Sequence, residues 1–171
     1  MDALTAYAAG LIDGEGCITM NKYWDKRGKP NNHRYWVIVI IGMTDEEPLR
    51  ALWEKWGGSL TRRKRANKKW KLVWVWQISC QKAYRFLEDI LPYLKAKRPQ
   101  AMVALQFRDA TKNEKVIPTM GCTYRLLPDN IEKREMYLQQ MRSLNHRGSP
   151  PATTERVAPT DTSRVKRQSG P

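Results

Sequence analysis

The run Ala8-Ala9-Gly10-Leu11-Ile12-Asp13-Gly14-Glu15-Gly16 ends a small-residue, apolar stretch with two carboxylates. Asp2 stands at an N-cap position and no Pro or Gly interrupts Ala3 to Ala9, so the spacing predicts a helix. Gly14 and Gly16 are expected to stop it, glycine being the residue that most readily takes the left-handed C-terminal conformation. Glu15 then falls at the negative end of the helix dipole, where a carboxylate is disfavoured unless a cation sits at the same point. Two such helices side by side would gather two carboxylates and two carbonyl-rich ends, a site for a hard divalent ion such as magnesium. Ala6, Ala9, Gly10 and Asp13 recur at spacings of three and four and are expected to share one face, narrow enough for a second helix to approach closely. Leu4, Tyr7, Leu11 and Ile12 flank that face and are expected to bury into a core.

The surroundings of this run are strongly basic. The 171 residues hold 31 Lys+Arg against 17 Asp+Glu, a net charge of +14, the electrostatic footprint of a polyanion binder. Carboxylate and basic surface together point to metal-dependent chemistry on a phosphodiester backbone. Cys17, Cys80 and Cys122 are odd in number and widely spaced, and His33 and His146 are far apart. No zinc spacing or disulfide framework emerges, catalytic Cys/His chemistry has little support, and a reducing intracellular compartment is expected. No apolar run is long enough to span a bilayer, so no membrane partner is expected.

The elements that must position the carboxylates follow from periodicity. Ile18 and Met20 alternate with Thr19 and Asn21 as in a half-buried strand. Asp25 to Asn32 reads as a turn, and Arg34 to Met43 as the partner strand of a hairpin. Thr44 or Asp45 can cap a following helix with Pro48 in its first turn, Leu49, Leu52, Trp53 and Trp56 on its buried stripe, and Gly57-Gly58 at its end. Ser59 to Ala66 and Lys69 to Ser79 form a second hairpin around Asn67-Lys68. Helices are expected from about Cys80 to Leu91, from Pro99 to about Asp109, and from a cap at Asp129 to about Asn145, with residues 110 to 128 loop-rich. The order αββαββα with further helices implies an α+β fold, a four-stranded antiparallel sheet with helices packed on one face. Residues 1–145 make one domain. From 146 to 171 the basic, Ser/Thr/Pro-rich composition cannot bury enough apolar surface to fold, and disorder is expected there.

A sheet covered on one face exposes the other. Thr19, Asn21, Tyr23 and Asp25, with Arg34 and Trp36, are expected on that exposed face, joined by Arg62, Lys64 and Lys69. Polar side chains spaced by two on a twisted ribbon can meet base edges in a major groove, while neighbouring lysines meet phosphates. Ile38 and Ile40 share the parity of Trp36, so this strand would carry apolar surface outward. Strand four permits two assignments. The preferred one turns Trp70, Trp74 and Trp76 inward and Lys71 and Gln77 outward; the reverse would offer tryptophans for stacking on single-stranded bases.

The opening run resembles the LAGLIDADG motif of homing endonucleases, with Ala for the first Leu, Gly for the second Ala and Glu for the last Asp. The element order matches that family through about residue 110, and Leu91-Pro-Tyr-Leu-Lys-Ala-Lys-Arg-Pro-Gln-Ala-Met-Val-Ala-Leu-Gln-Phe is similar to the family's segment after the second hairpin. The resemblance implies a saddle-shaped DNA-binding sheet and Mg2+ (or Mn2+) as cofactor. Glu15 and the Gly14 carbonyl become the expected metal ligands. A basic residue at the edge of the active site is carried by Lys97, with Lys95 and Arg98 as alternatives. Asp45 takes a slot for ordering solvent, while also fitting a plain helix cap. Asp13 matches the first acidic position, expected at the helix interface or capping a helix end. A single motif supplies half a site, which implies a homodimer through the first helix, acting on double-stranded DNA with a near-palindromic target in intron homing. The competing readings on the same fold are an intron-splicing maturase that binds RNA and a DNA-binding regulator that does not cut.

Overall fold

The structure, a computed structural model, describes residues 2–24, 33–63, 71–119 and 123–146. The elements run α1 (Ala3–Glu15), β1 (Gly16–Trp24), β2 (His33–Met43), α2 (Glu47–Trp56), β3 (Ser59–Arg63), β4 (Val73–Ser79), α3 (Cys80–Ile90), α4 (Arg98–Thr111), β5 (Val116–Thr119), β6 (Thr123–Leu126) and α5 (Pro128–Asn145). The αββαββα order is as expected. The loop expected between 110 and 128 is instead partly a small antiparallel hairpin, β5 with β6. Its strands are four residues each, too short for alternation to stand out from loop composition. The turn at Asp25 to Asn32, the tip around Asn67-Lys68 and the tail from 147 lie outside the described residues.

The main sheet is antiparallel in the order β1-β2-β4-β3, so the strands following the two hairpin tips lie at its centre. Gly16 opposes Ile41, Ile41 opposes Trp76, and Leu60 opposes Trp76 from the other side. Parity is set by the core. Ile18, Val37, Val39, Ile41, Trp76 and Ile78 all turn to the helix-covered face and are buried. Trp76 donates its indole N–H to the Gly57 carbonyl at 2.8 Å and packs edge-on to Phe86, so its polar handle is satisfied where its ring is sheltered. Trp74 also takes this side, partly buried against the core. The inward assignment of these two tryptophans therefore holds; Trp70 lies outside the described residues.

Helix starts differ in detail from expectation. Asp45 accepts the Glu47 N–H at 3.2 Å ahead of α2, which ends at Gly57 and Gly58 with φ of 72° and 95°. At Gly58 a Cβ would lie 2.5 Å from the Gln77 carbonyl oxygen, so strand packing excludes any side chain there. Asp129 sits inside the first turn of α5 rather than at its cap, which is Leu127. Asp2 caps α1 as expected, accepting the Leu4 N–H at 3.1 Å.

Candidate active site and nucleic-acid interface

Helix α1 ends at Glu15, and the chain passes directly into β1. Gly16 makes this turn in extended conformation, φ −83° and ψ 166°, not in the left-handed region. Its glycine is required by space: a Cβ would stand 2.7 Å from Ile12 Cα. Gly14 is an ordinary helical residue with open space around it. Glu15 is thereby left exposed at the junction of α1 and the sheet, and among the described residues no hydrogen bond or ion pair holds its side chain.

Asp13 has the opposite surroundings. Its carboxylate accepts the Lys97 N–H at 2.8 Å and the Lys95 N–H at 2.7 Å, in the turn that opens α4. Burial works against its charge, but the amides of Lys95, Lys97 and Ala96 and the Lys97 ammonium outweigh it and hold the carboxyl below its ordinary range. Lys97 is 9% exposed and reaches back the other way. Its Nζ donates to the Ile12 carbonyl at 2.8 Å and to the Asp13 carbonyl at 2.6 Å. Lys95 and Arg98 are exposed, and Arg98 donates to the Leu91 carbonyl at 3.1 Å. Of the three basic residues, Lys97 is the one whose ammonium addresses the end of α1.

A cleft of about 390 Å3 opens beside the end of α1, lined among others by Gly14, Gly16, Cys17, Lys97, Gln100 and Asn145 but not by the Glu15 side chain. The end of α5 closes it through two amides: Asn145 donates to the Ile18 carbonyl at 2.9 Å, and Gln100 to the Leu144 carbonyl at 3.2 Å. Nothing in the spacing of a sequence announces a contact between residues 18 and 145. Among the described residues, no three His, Cys, Asp or Glu side chains converge. One chain thus offers one free carboxylate beside helix-end carbonyls, the right donor chemistry for a hard ion but too few donors. Asp45 lies at the same end of the sheet, past the end of β2, exposed and engaged with the Glu47 amide.

The small face of α1 needs one correction. Ala9 has no exposure and lies in the core with Ala8 and Ile12. Ala6 and Gly10 are exposed and Asp13 partly so. Tyr7, expected to bury, is 48% exposed beside them. The spacing of three and four grouped Ala9 with this face, but packing turns it about one residue around the helix. The outward strip is Ala3, Ala6, Tyr7, Gly10 and Gly14.

The open face of the sheet carries Cys17, Thr19, Asn21 and Tyr23 from β1, opposite Ile40, Ile38, Trp36 and Arg34 of β2. Gln77 and Ser79 extend it on β4, and Ser59, Thr61 and Arg63 on β3. Lys71 is exposed just ahead of β4. Arg62 is on the opposite face. Its register partner is Trp74, and its guanidinium lies 5.7 Å from that ring. Strand parity fixes this outcome: once Trp76 and Leu60 turn inward, Arg62 must follow and Arg63 must face out. Arg63, Thr61 and Ser59 could have been found from the tryptophan spacing combined with the pairing register. Asp25, Lys64 and Lys69 lie outside the described residues. Ile38 and Val75 on the open face are nearly buried, at 5% and 8% exposure, so the central strands carry apolar surface there beside the polar Gln77 and Ser79.

A four-stranded antiparallel sheet with one face roofed by helices matches the fold of solved LAGLIDADG homing endonucleases. The chain aligns with the homing endonuclease I-CvuI at TM-score 0.62 and 22% identity, over 82% of this chain and 80% of that one. That neighbour was solved with a target in the presence of magnesium, its DNA not cleaved. It aligns with the archaeal intron-encoded homing endonuclease I-Vdi141I, complexed with DNA, at TM-score 0.64 and 15% identity, over 86% and 87% of the two chains. Against I-SmaMI, bound to uncleaved DNA with calcium, it covers 84% of its own length and 46% of the neighbour's, at TM-score 0.55 and 16% identity. No protein-family model matches the sequence, and no curated protein matches it. At these identities the likeness establishes the fold.

Proposed function

We propose that this chain is a homodimeric, metal-dependent endonuclease that cuts both strands of a long, near-palindromic DNA site. The observation that carries this reading is the pairing of fates at the end of α1, where Asp13 is tied into the fold and Glu15 is left free at the rim of the sheet. A free carboxylate at the negative end of a helix is unfavourable alone and favourable beside a cation. Two copies docked along Ala6, Tyr7, Gly10 and Gly14 would bring two Glu15 carboxylates and two Gly14 carbonyls together and supply the donors one chain lacks. The match to under half of I-SmaMI, against four-fifths or more of I-CvuI and I-Vdi141I, is consistent with a fold used as a half-unit. Glu15 and Gly14 would hold magnesium or manganese.

A bound divalent ion supplies Lewis acidity at a phosphate and lowers the pKa of water. The chain's own residues do the rest. Thr19, Asn21, Tyr23, Arg34, Gln77 and Arg63 offer donors and acceptors to a groove, and Lys71 offers charge to phosphate. They are spread over all four strands of the sheet.

The test is cleavage of a partly randomised duplex library by the purified protein with magnesium and with chelator. Magnesium-dependent double-strand breaks within one near-palindromic sequence class are expected. Sequence-selective binding with no breaks in any divalent ion would assign the fold to a regulator, and selective binding of structured RNA instead would assign it to a maturase.

A further inference from the structure

The end of α1 meets the turn Lys95–Lys97 that leads into α4, and neither helix carries at that end the group a helix terminus wants. The last turn of α1 has no basic residue, and the start of α4 has no side-chain cap of its own and no acidic residue in its first turn. The end of α1 and the turn ahead of α4 instead exchange groups. The Asp13 carboxylate takes the Lys95 and Lys97 amides before α4, at 2.7 and 2.8 Å, and the Lys97 ammonium takes the Ile12 and Asp13 carbonyls of α1, at 2.8 and 2.6 Å. We infer that Asp13 and Lys97 are positioning residues that form a reciprocal clasp, fixing where α1 ends and hence where Glu15 and the Gly14 carbonyl stand. This rests on the metal-dependent reading of Glu15. It gives Lys97 a part that differs from acting on the reacting atoms: two of its three donors are committed to backbone carbonyls, and its side chain is sheltered from solvent. The clasp needs a cation at 97 but no exchangeable proton. Arginine keeps the charge and the donors and should therefore serve better than methionine, which keeps neither.

The experiment compares Asp13→Asn, Lys97→Met, Lys97→Arg and the Asp13→Asn/Lys97→Met double variant. Each is measured for unfolding in denaturant, duplex affinity in chelator, cleavage against magnesium concentration, and the pH dependence of cleavage. Lys97→Met and Asp13→Asn should each raise the half-saturating magnesium concentration by roughly tenfold, as loss of an outer-shell support does, with duplex affinity in chelator nearly unchanged. The double variant should be little worse than the poorer single one, because either change opens the same clasp. Lys97→Arg should recover most of the cleavage with an unshifted pH profile. Lys97→Arg and Lys97→Met variants that both cleave far more slowly at saturating magnesium, with the half-saturating magnesium concentration and the unfolding unaltered, would overturn the inference and put Lys97 on the reacting atoms. If the unmodified protein cuts no DNA, the endonuclease reading fails. The unfolding data then still judge the clasp: non-additive losses support it and additive losses sink it. Should the methionine variant not fold, slow exchange of the Lys95 and Lys97 amides, lost in Asp13→Asn, decides in the same sense.

Discussion

Residues one or two positions apart in this sequence meet opposite fates. Ala9 is sealed in the core while Gly10 faces outward; Arg62 lies against a tryptophan on the helix side while Arg63 faces the open side; Asp13 is tied to two amides while Glu15 has no partner among the described residues. Residue type alone would treat each pair as equivalent. Ala9, Asp13 and Arg62, the last from an exposed position over Trp74, contact the fold's own residues, and their counterparts are left available for something outside the chain. Exchanging or deleting members of a pair should therefore split stability from function.

The carboxylate pair should split most widely. Glu15→Gln should reduce cleavage on the order of a thousandfold, the loss of several kcal/mol of charge stabilisation at the reacting phosphate, while thermal stability and duplex affinity stay near those of the unmodified protein. Single-turnover cleavage of the selected site, with a melting curve beside it, measures both. Retained cleavage would remove Glu15 from the site.

The α1 pair comes next. Ala9→Leu forces three carbon atoms into a filled core and should cost about 2–3 kcal/mol. Gly10→Ala places a methyl where nothing lies within 4 Å, so the isolated chain should gain about 0.5–1 kcal/mol from a helix interior without glycine. If the outward strip is the seam between two copies, the same methyl should weaken association, seen as a higher dimer dissociation constant by sedimentation. A variant stabilised at every concentration would move the seam elsewhere.

Much of this was legible beforehand because it is local. Alternation along Cys17 to Met20, the β-branched apolar run from Arg34 to Met43, the Gly57-Gly58 stop and the tryptophan stripe of strand four each follow from side chains a few positions apart. The rest depends on pairing register or on distant contacts. The side of Arg62 is decided by Trp74 opposite it, and the partnership of Asp13 with Lys97 spans 84 positions. Ala9 fell on the wrong side because small residues lined both sides of α1, where Ala8 and Ala9 fit beneath the sheet and helices while Ala6 and Gly10 stay narrow and exposed.

The arginine pair offers a smaller contrast. Arg63→Ala should weaken duplex binding by about tenfold and lower the slope of log affinity against log salt by about one, if Arg63 meets a phosphate. Arg62→Ala should leave the salt slope nearly intact and act through lost packing over Trp74. Equal slopes for the two variants would mean that the open face of β3 does not meet the duplex.

The smallest effect sets Glu135 against Glu15. Glu135, on α5, accepts the Tyr35 hydroxyl at 2.5 Å and pairs with Lys22 on β1. Burial pushes its carboxyl up, but the hydrogen bonds from Lys22 and Tyr35 and the nearby positive charge hold it below the ordinary value of 4.5. A carboxyl whose pKa is lowered by folding stabilises the fold above its unfolded value, and that contribution fades as pH falls through the folded one. The melting temperature of Glu135→Gln should therefore lie below that of the unmodified protein by a constant gap above about pH 5, and the gap should narrow steadily in more acid solution. Glu15 has no such hydrogen-bonded partners among the described residues, so Glu15→Gln breaks no side-chain contact of the fold. A Glu135→Gln gap that stays constant down to acid unfolding would assign the contact to hydrogen-bond geometry alone, independent of charge.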